Sequence, residues 1–125
     1  MKKIISTSEA PQAIGPYSQA VLASGVLYTA GQIAIVPETG AIELSNIRSE
    51  THQVMKNLKG VLAAAKMNFS NVVKSTIFLK DMAQYAAINE VYSEYFSEKH
   101  PAREAVQVSQ LPKNVNIEIS LIAVL

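Results

Sequence analysis

The sequence predicts an α+β fold, a mixed β-sheet with two helices packed on one face. Three observations predict it. A helical stripe runs from Ser45 to Lys66, and a shorter one follows Asp81. Apolar and polar residues alternate strictly from Val115 to Leu121. Strand-like segments stand before, between and after the two helices, which is the order of a layered α+β domain.

Each element has its own signal. Ser18 to Ala23 and Val26 to Ala30 flank Ser24-Gly25 and read as a hairpin. Gln32 to Val36 continues the strand system, and Pro37 to Gly40 reverses the chain. In the first helix Ile47, Thr51, Val54, Met55, Leu58, Val61, Leu62 and Ala65 recur at three- and four-residue intervals as one apolar stripe. Arg48, Glu50, Gln53, Lys56, Asn57 and Lys59 fall largely elsewhere and are expected in solvent. Ser45 or Asn46 supplies the N-cap. Asn71 to Lys80 is rich in β-branched residues and reads as a strand. Asp81 starts the second helix, with Gln84 three residues on as in a capping box. Tyr85, Ile88, Tyr92, Tyr95 and Phe96 form its buried stripe, and Pro101 stops it.

Two strands then flank a turn at Leu111 to Asn114. In the second, Val115, Ile117, Ile119, Leu121 and Ala123 share one face, and Asn116, Glu118 and Ser120 the other. In the first, Arg103, Ala105, Gln107 and Ser109 alternate with Glu104, Val106, Val108 and Gln110. Read as a hairpin, the pair puts Arg103 and Glu118 on one shared polar face. The uncovered sheet face then carries Arg103, Gln107 and Glu118 beside apolar Ile122 and Val124, a surface that asks for a second copy of the chain.

Composition narrows the function. At 125 residues the chain makes one domain. Its formal net charge is +1 and 17% of its residues are charged, which points to neither nucleic acid nor a membrane surface as partner. There is no basic stripe for RNA. With no cysteine, disulfides and thiolate chemistry are excluded. After Met1-Lys2-Lys3 only Ile4-Ile5 is apolar, short of the about 7–15 residues of a signal peptide core. The expectation is a cytoplasmic protein. The hydrophobic fraction, 49%, is high for a domain this small and argues mildly for an oligomer.

The chemistry-bearing residues are few. Arg103 offers a planar fork that matches a carboxylate, and Glu118 offers a group that can move a proton. His52 and His100 have no ligand spacing, so no metal site is expected. No phosphate loop exists, and Ser18 and Ser109 lack a histidine base.

The run Pro101-Ala102-Arg103, then Leu111-Pro112, then Ile117-Glu118-Ile119 resembles the C-terminal signature of the RidA/YjgF family, the reactive intermediate (enamine/imine) deaminases. Ala13 to Ala20, Thr29-Ala30-Gly31-Gln32 and Asn89 within Ala87 to Tyr92 resemble the same family, in register along the whole chain. The resemblance implies a homotrimer with inward-facing sheets and sites in clefts between subunits. It implies cofactor-free hydrolysis of 2-aminoacrylate-type enamines and 2-imino acids to 2-keto acids and ammonia, which protects pyridoxal-phosphate enzymes. It gives Arg103 the substrate carboxylate and Glu118 the attacking water. Tyr17, Ala30, Gly31, Asn89 and Ala105 are then substrate contacts. Two residues depart from the pattern. Glu104 stands where a small residue is usual, and Ala105 where a cysteine is common. Strand alternation points Glu104 away from Arg103, toward an interface or core-side lysine. A non-catalytic binder of small carboxylates such as 2-keto acids fits the same Arg103 fork.

Overall fold

The structure, a computed structural model, describes residues 1–125. Eight regular elements follow in order: β1 (Lys2–Ile5), β2 (Ala20–Ala23), β3 (Val26–Thr29), α1 (Ile47–Ala64), β4 (Val72–Leu79), α2 (Tyr85–Ser93), β5 (Ala102–Gln107) and β6 (Ile117–Val124). The strands form one mixed sheet in the order β1-β2-β3-β6-β4-β5. β4 and β5 are parallel, and every other pairing is antiparallel. β1 continues the predicted hairpin at its outer edge, an addition that the short Lys2–Ile5 run did not signal in the sequence.

The core lies between the sheet and the two helices. Ile77, Leu79, Ile117, Ile119 and Leu121 on the sheet meet Val54, Met55, Leu58 and Leu62 of α1 and Ile88 of α2, all essentially buried. α1 starts where Asn46 caps it, its side chain accepting from the Ser49 N–H at 2.8 Å. The helix ends at Ala64, and Lys66, two residues on, takes a left-handed φ of 60°. Asp81 caps only a short 3₁₀ turn, Met82–Gln84, and α2 proper runs from Tyr85 to Ser93. Tyr95 and Phe96 therefore lie beyond the helix, packed with Phe69.

Three expectations are corrected. First, β5 and β6 are not a hairpin. β4 lies between them, parallel to β5 and antiparallel to β6. β6 is the most strictly alternating strand and buries a whole apolar face, so it takes the centre of the sheet. β5 carries Arg103, Glu104 and Gln107 and takes an edge, where polar strands belong. Second, Gln32 to Val36 is not a regular strand. It makes only isolated bridges, Gln32 with Ile119 and Ile35 with Ile42. Third, Glu50 and Asn57 of α1 are not solvated but completely buried. The Glu50 carboxylate accepts from the Asn116 backbone N–H at 2.8 Å and its side-chain amide at 2.7 Å. Each buried polar group thus has partners, as burial requires.

Candidate active site

The register of the sheet decides where Arg103 and Glu118 stand. Arg103 pairs with Ser75, which pairs with Leu121. Directly opposed residues share a face, so Arg103 belongs to the face that the helices cover. Glu118 pairs with Phe78, which pairs with Val106. That row belongs to the open face. The expected shared polar face of Arg103 and Glu118 therefore does not exist, because β4 intervenes with its own register. Gln107 also turns to the helix side, where its side-chain oxygen accepts from the Met82 N–H at 2.8 Å.

The Arg103 half is built against α2. The guanidinium donates to Asn89 Oδ1 at 2.6 Å and to the Tyr85 hydroxyl. It lies 4.9 Å from the centre of the Tyr92 ring and 5.5 Å from that of Tyr85. Both rings present their π face to the cation. The Tyr92 hydroxyl donates to buried Ser75 at 2.8 Å, and burial pushes that phenol upward. Two neutral acceptors and two rings fix the fork, and neither of the structure's ion pairs uses it. The guanidinium thus holds its full charge with donors to spare for an anion. Ala105, two residues on, faces the same side and packs against the core. Glu104 points to the opposite face and pairs with Lys74 at 2.9 Å, so it does not compete for Arg103.

The Glu118 half is a cleft of about 520 Å³. Tyr17, Ala30, Gly31 and Glu118 line it together, with Ile33 and Ile35 among its apolar walls. The pairing register shifts by one residue between Tyr28–Ile122 and Gln32–Ile119, so Ala30-Gly31 carries a bulge. The bulge brings Gly31 under the Glu118 side chain. A Cβ on Gly31 would lie 2.7 Å from Cδ and 2.9 Å from Cγ of Glu118, so only glycine lets the carboxyl lie there. Burial alone pushes the Glu118 carboxyl above its ordinary range. Tyr17 follows Gly15, whose φ of +129° makes the bend that brings the tyrosine to the cleft. Tyr17 remains 55% exposed.

The structure thus brings the predicted residues together as two groups: Tyr17, Ala30, Gly31 and Glu118 in one, Asn89, Arg103 and Ala105 in the other. Sequence reasoning missed Tyr85 and Tyr92 as partners of Arg103, having assigned both to a hydrophobic stripe. Their spacing in the helix beside Asn89 was the available signal. It also missed Pro112 and Lys113, which border the Glu118 cleft. His52 instead bonds the Tyr95 hydroxyl, with Nδ1 2.8 Å from it. No helix is long and apolar enough to cross a membrane.

A family model described as endoribonuclease L-PSP matches residues 7–125. A RutC family protein of Pyrococcus horikoshii is 53% identical over 123 residues, 98% of each chain. The human 2-iminobutanoate/2-iminopropanoate deaminase is 44% identical over 124 residues, 99% of this chain and 90% of that one. The crystal structure of E. coli TdcF with bound serine matches with a TM-score of 0.94 and 40% identity, over 98% of each chain. The fold, the in-register motifs and these matches agree, and the chain belongs to the endoribonuclease L-PSP family, also called the YjgF/RidA family.

Proposed function

We propose that the protein hydrolyses 2-imino acids, and the enamines that tautomerise to them, to 2-keto acids and ammonia. The observation that carries this reading is an arginine fork that is fixed but not neutralised, in a chain that also holds a half-buried glutamate in an apolar cleft. Relatives named for imine deamination at 44% and 47% identity support it, as does the serine bound to TdcF.

Arg103 and Glu118 face opposite sides of one sheet, so they serve one substrate only if two copies meet. The open face offers the surface for it, with Tyr28 50% and Val106 45% exposed beside Ile122 and Val124. The assembly in this reading is a homotrimer with its sites between subunits. Arg103 of one copy holds the substrate carboxylate, and Glu118 of the next holds a water beside the imine carbon. Water adds to that carbon and Glu118 passes its proton to nitrogen. The C–N bond breaks, ammonia leaves and the 2-keto acid remains. An imine is already electrophilic, so positioning and proton transfer suffice.

The test is imine hydrolysis in a coupled assay. A serine/threonine dehydratase or an amino-acid oxidase generates the imine, and semicarbazide traps what survives. Wild type lowers the trapped amount. Arg103→Ala loses activity on the order of a thousandfold while keeping its fold. An Arg103→Ala variant with wild-type turnover of the same carboxylate substrate would overturn the role of Arg103.

A further inference from the structure

Asn57 lies in the middle of α1, where the sequence places a solvated residue, yet it is 0% exposed. Its amide nitrogen donates to the Ile33 carbonyl at 3.0 Å and to the Ile35 carbonyl at 2.9 Å. Its oxygen accepts from the Gln53 side chain at 3.0 Å. Both amide hydrogens are thus spent on one irregular segment. That segment lacks regular sheet partners, and Ile33 and Ile35 line the cleft that holds Glu118. Its near end is fixed by the two-way backbone bonds of Gln32 with Ile119, at 2.8 and 3.1 Å, next to Glu118 in β6. Its far end is held by Asn57 together with the returning chain, where Val36 N–H donates to the Ala41 carbonyl at 2.8 Å and Glu43 N–H to the Ala34 carbonyl at 2.9 Å. Asn57 alone ties it to α1, through the Ile33 and Ile35 carbonyls.

We propose that Asn57 is a positioning residue for the reaction: by holding Ile33 and Ile35 it keeps the apolar wall of the cleft closed around Glu118. This rests on the reading of Glu118 as the proton-transfer group. The wall excludes water from the carboxylate, and water exclusion is the cause of its upward shift. The other titratable groups in the cleft are Tyr17 and Lys113. On the open face Lys74 and Glu104 pair with each other. From α1, Lys56 and Lys59 point to solvent and His52 is bonded to Tyr95. A change at Asn57 therefore reaches Glu118 through the wall and leaves those charges in place.

The test compares wild type, Asn57→Ser and the milder Gln53→Ala, which removes the partner of the Asn57 oxygen and so loosens the amide's hold on the two carbonyls. Carbon-13 titration of the glutamate side-chain carboxyls reads Glu118 directly in the assembled protein. The Glu118 midpoint moves down toward the ordinary carboxylate range in Asn57→Ser, and by less in Gln53→Ala. With the imine substrate, kcat falls about tenfold while KM stays within about threefold. A folded Asn57→Ser with unchanged midpoint and unchanged kcat overturns the proposal, whatever its loss of Tm. If Asn57→Ser does not fold, an unmoved midpoint in Gln53→Ala overturns it. A wild type without imine hydrolysis defeats the functional reading instead, and the titration then decides on Asn57 alone.

Discussion

Arg103 and Glu118 sit in opposite kinds of surroundings. The guanidinium sits among polar and aromatic partners on the helix side, where Asn89, Tyr85 and Tyr92 fix its direction without touching its charge. The carboxyl sits in a largely apolar cleft on the other side, where burial removes water and no ion pair replaces it. One half is tuned by added contacts, the other by subtraction. An anion binder needs a firm cation with free donors. A proton carrier needs a carboxyl whose charged and neutral forms lie close in energy near working pH.

Removing the subtractive half outright has the largest effect. Glu118→Gln lowers kcat by about 10²–10⁴-fold and flattens the acid limb of the pH–rate profile, measured by the same trapping assay. Because the upward shift makes Glu118 ionise later, that limb in wild type lies above the about 4.3 of a free glutamate. Mixing tests whether the halves meet between copies. Arg103→Ala and Glu118→Gln, each inactive alone, regain activity when co-refolded, since roughly a quarter of random interfaces pair two intact halves. No recovery at any mixing ratio, with mixed oligomers verified, would place both halves in one chain. Gly31→Ala displaces the Glu118 side chain and lowers kcat about tenfold, with Arg103-dependent binding of a 2-keto acid unchanged by calorimetry.

The smallest effect is on stability. A carboxyl raised by folding favours the folded state below its unfolded pKa. That contribution is lost as pH rises through the folded value. Glu118→Gln therefore melts higher than wild type at pH 7, and the gap closes near pH 4. Equal gaps at both pH values in thermal melts would contradict the burial of the ionisable carboxyl.

Much of this molecule was legible in its sequence where local pattern decides. The α1 stripe, the β2–β3 hairpin at Ser24-Gly25 and the alternation of β6 all follow from side-chain period and turn chemistry. The outward turn of Glu104 follows from the same alternation, and Lys74 receives it. What failed was non-local. Nothing in Ala102–Gln107 or Ile117–Val124 tells that a third strand separates them, and the face of Arg103 depends on that strand's register. Glu50 and Asn57 failed for a related reason. Their partners, Asn116 and the Ile33 and Ile35 carbonyls, are distant in sequence, and a polar residue on a helix reads as solvated until such partners are known.

The place of β6 has a consequence for how the protein is made. It is the last of the six strands in sequence, yet it is hydrogen-bonded on both sides, to β3 and to β4. Synthesis delivers the chain N-terminus first. Until β6 emerges, β3 and β4 each present an open edge, and the two helices have no central strand to cover. The nascent chain passes through a stage with two bare edges and an uncovered core, the state in which strands pair with the wrong neighbour. A ribosome stalled before Ile117 leaves a product without the middle of its sheet rather than a protein lacking its tail.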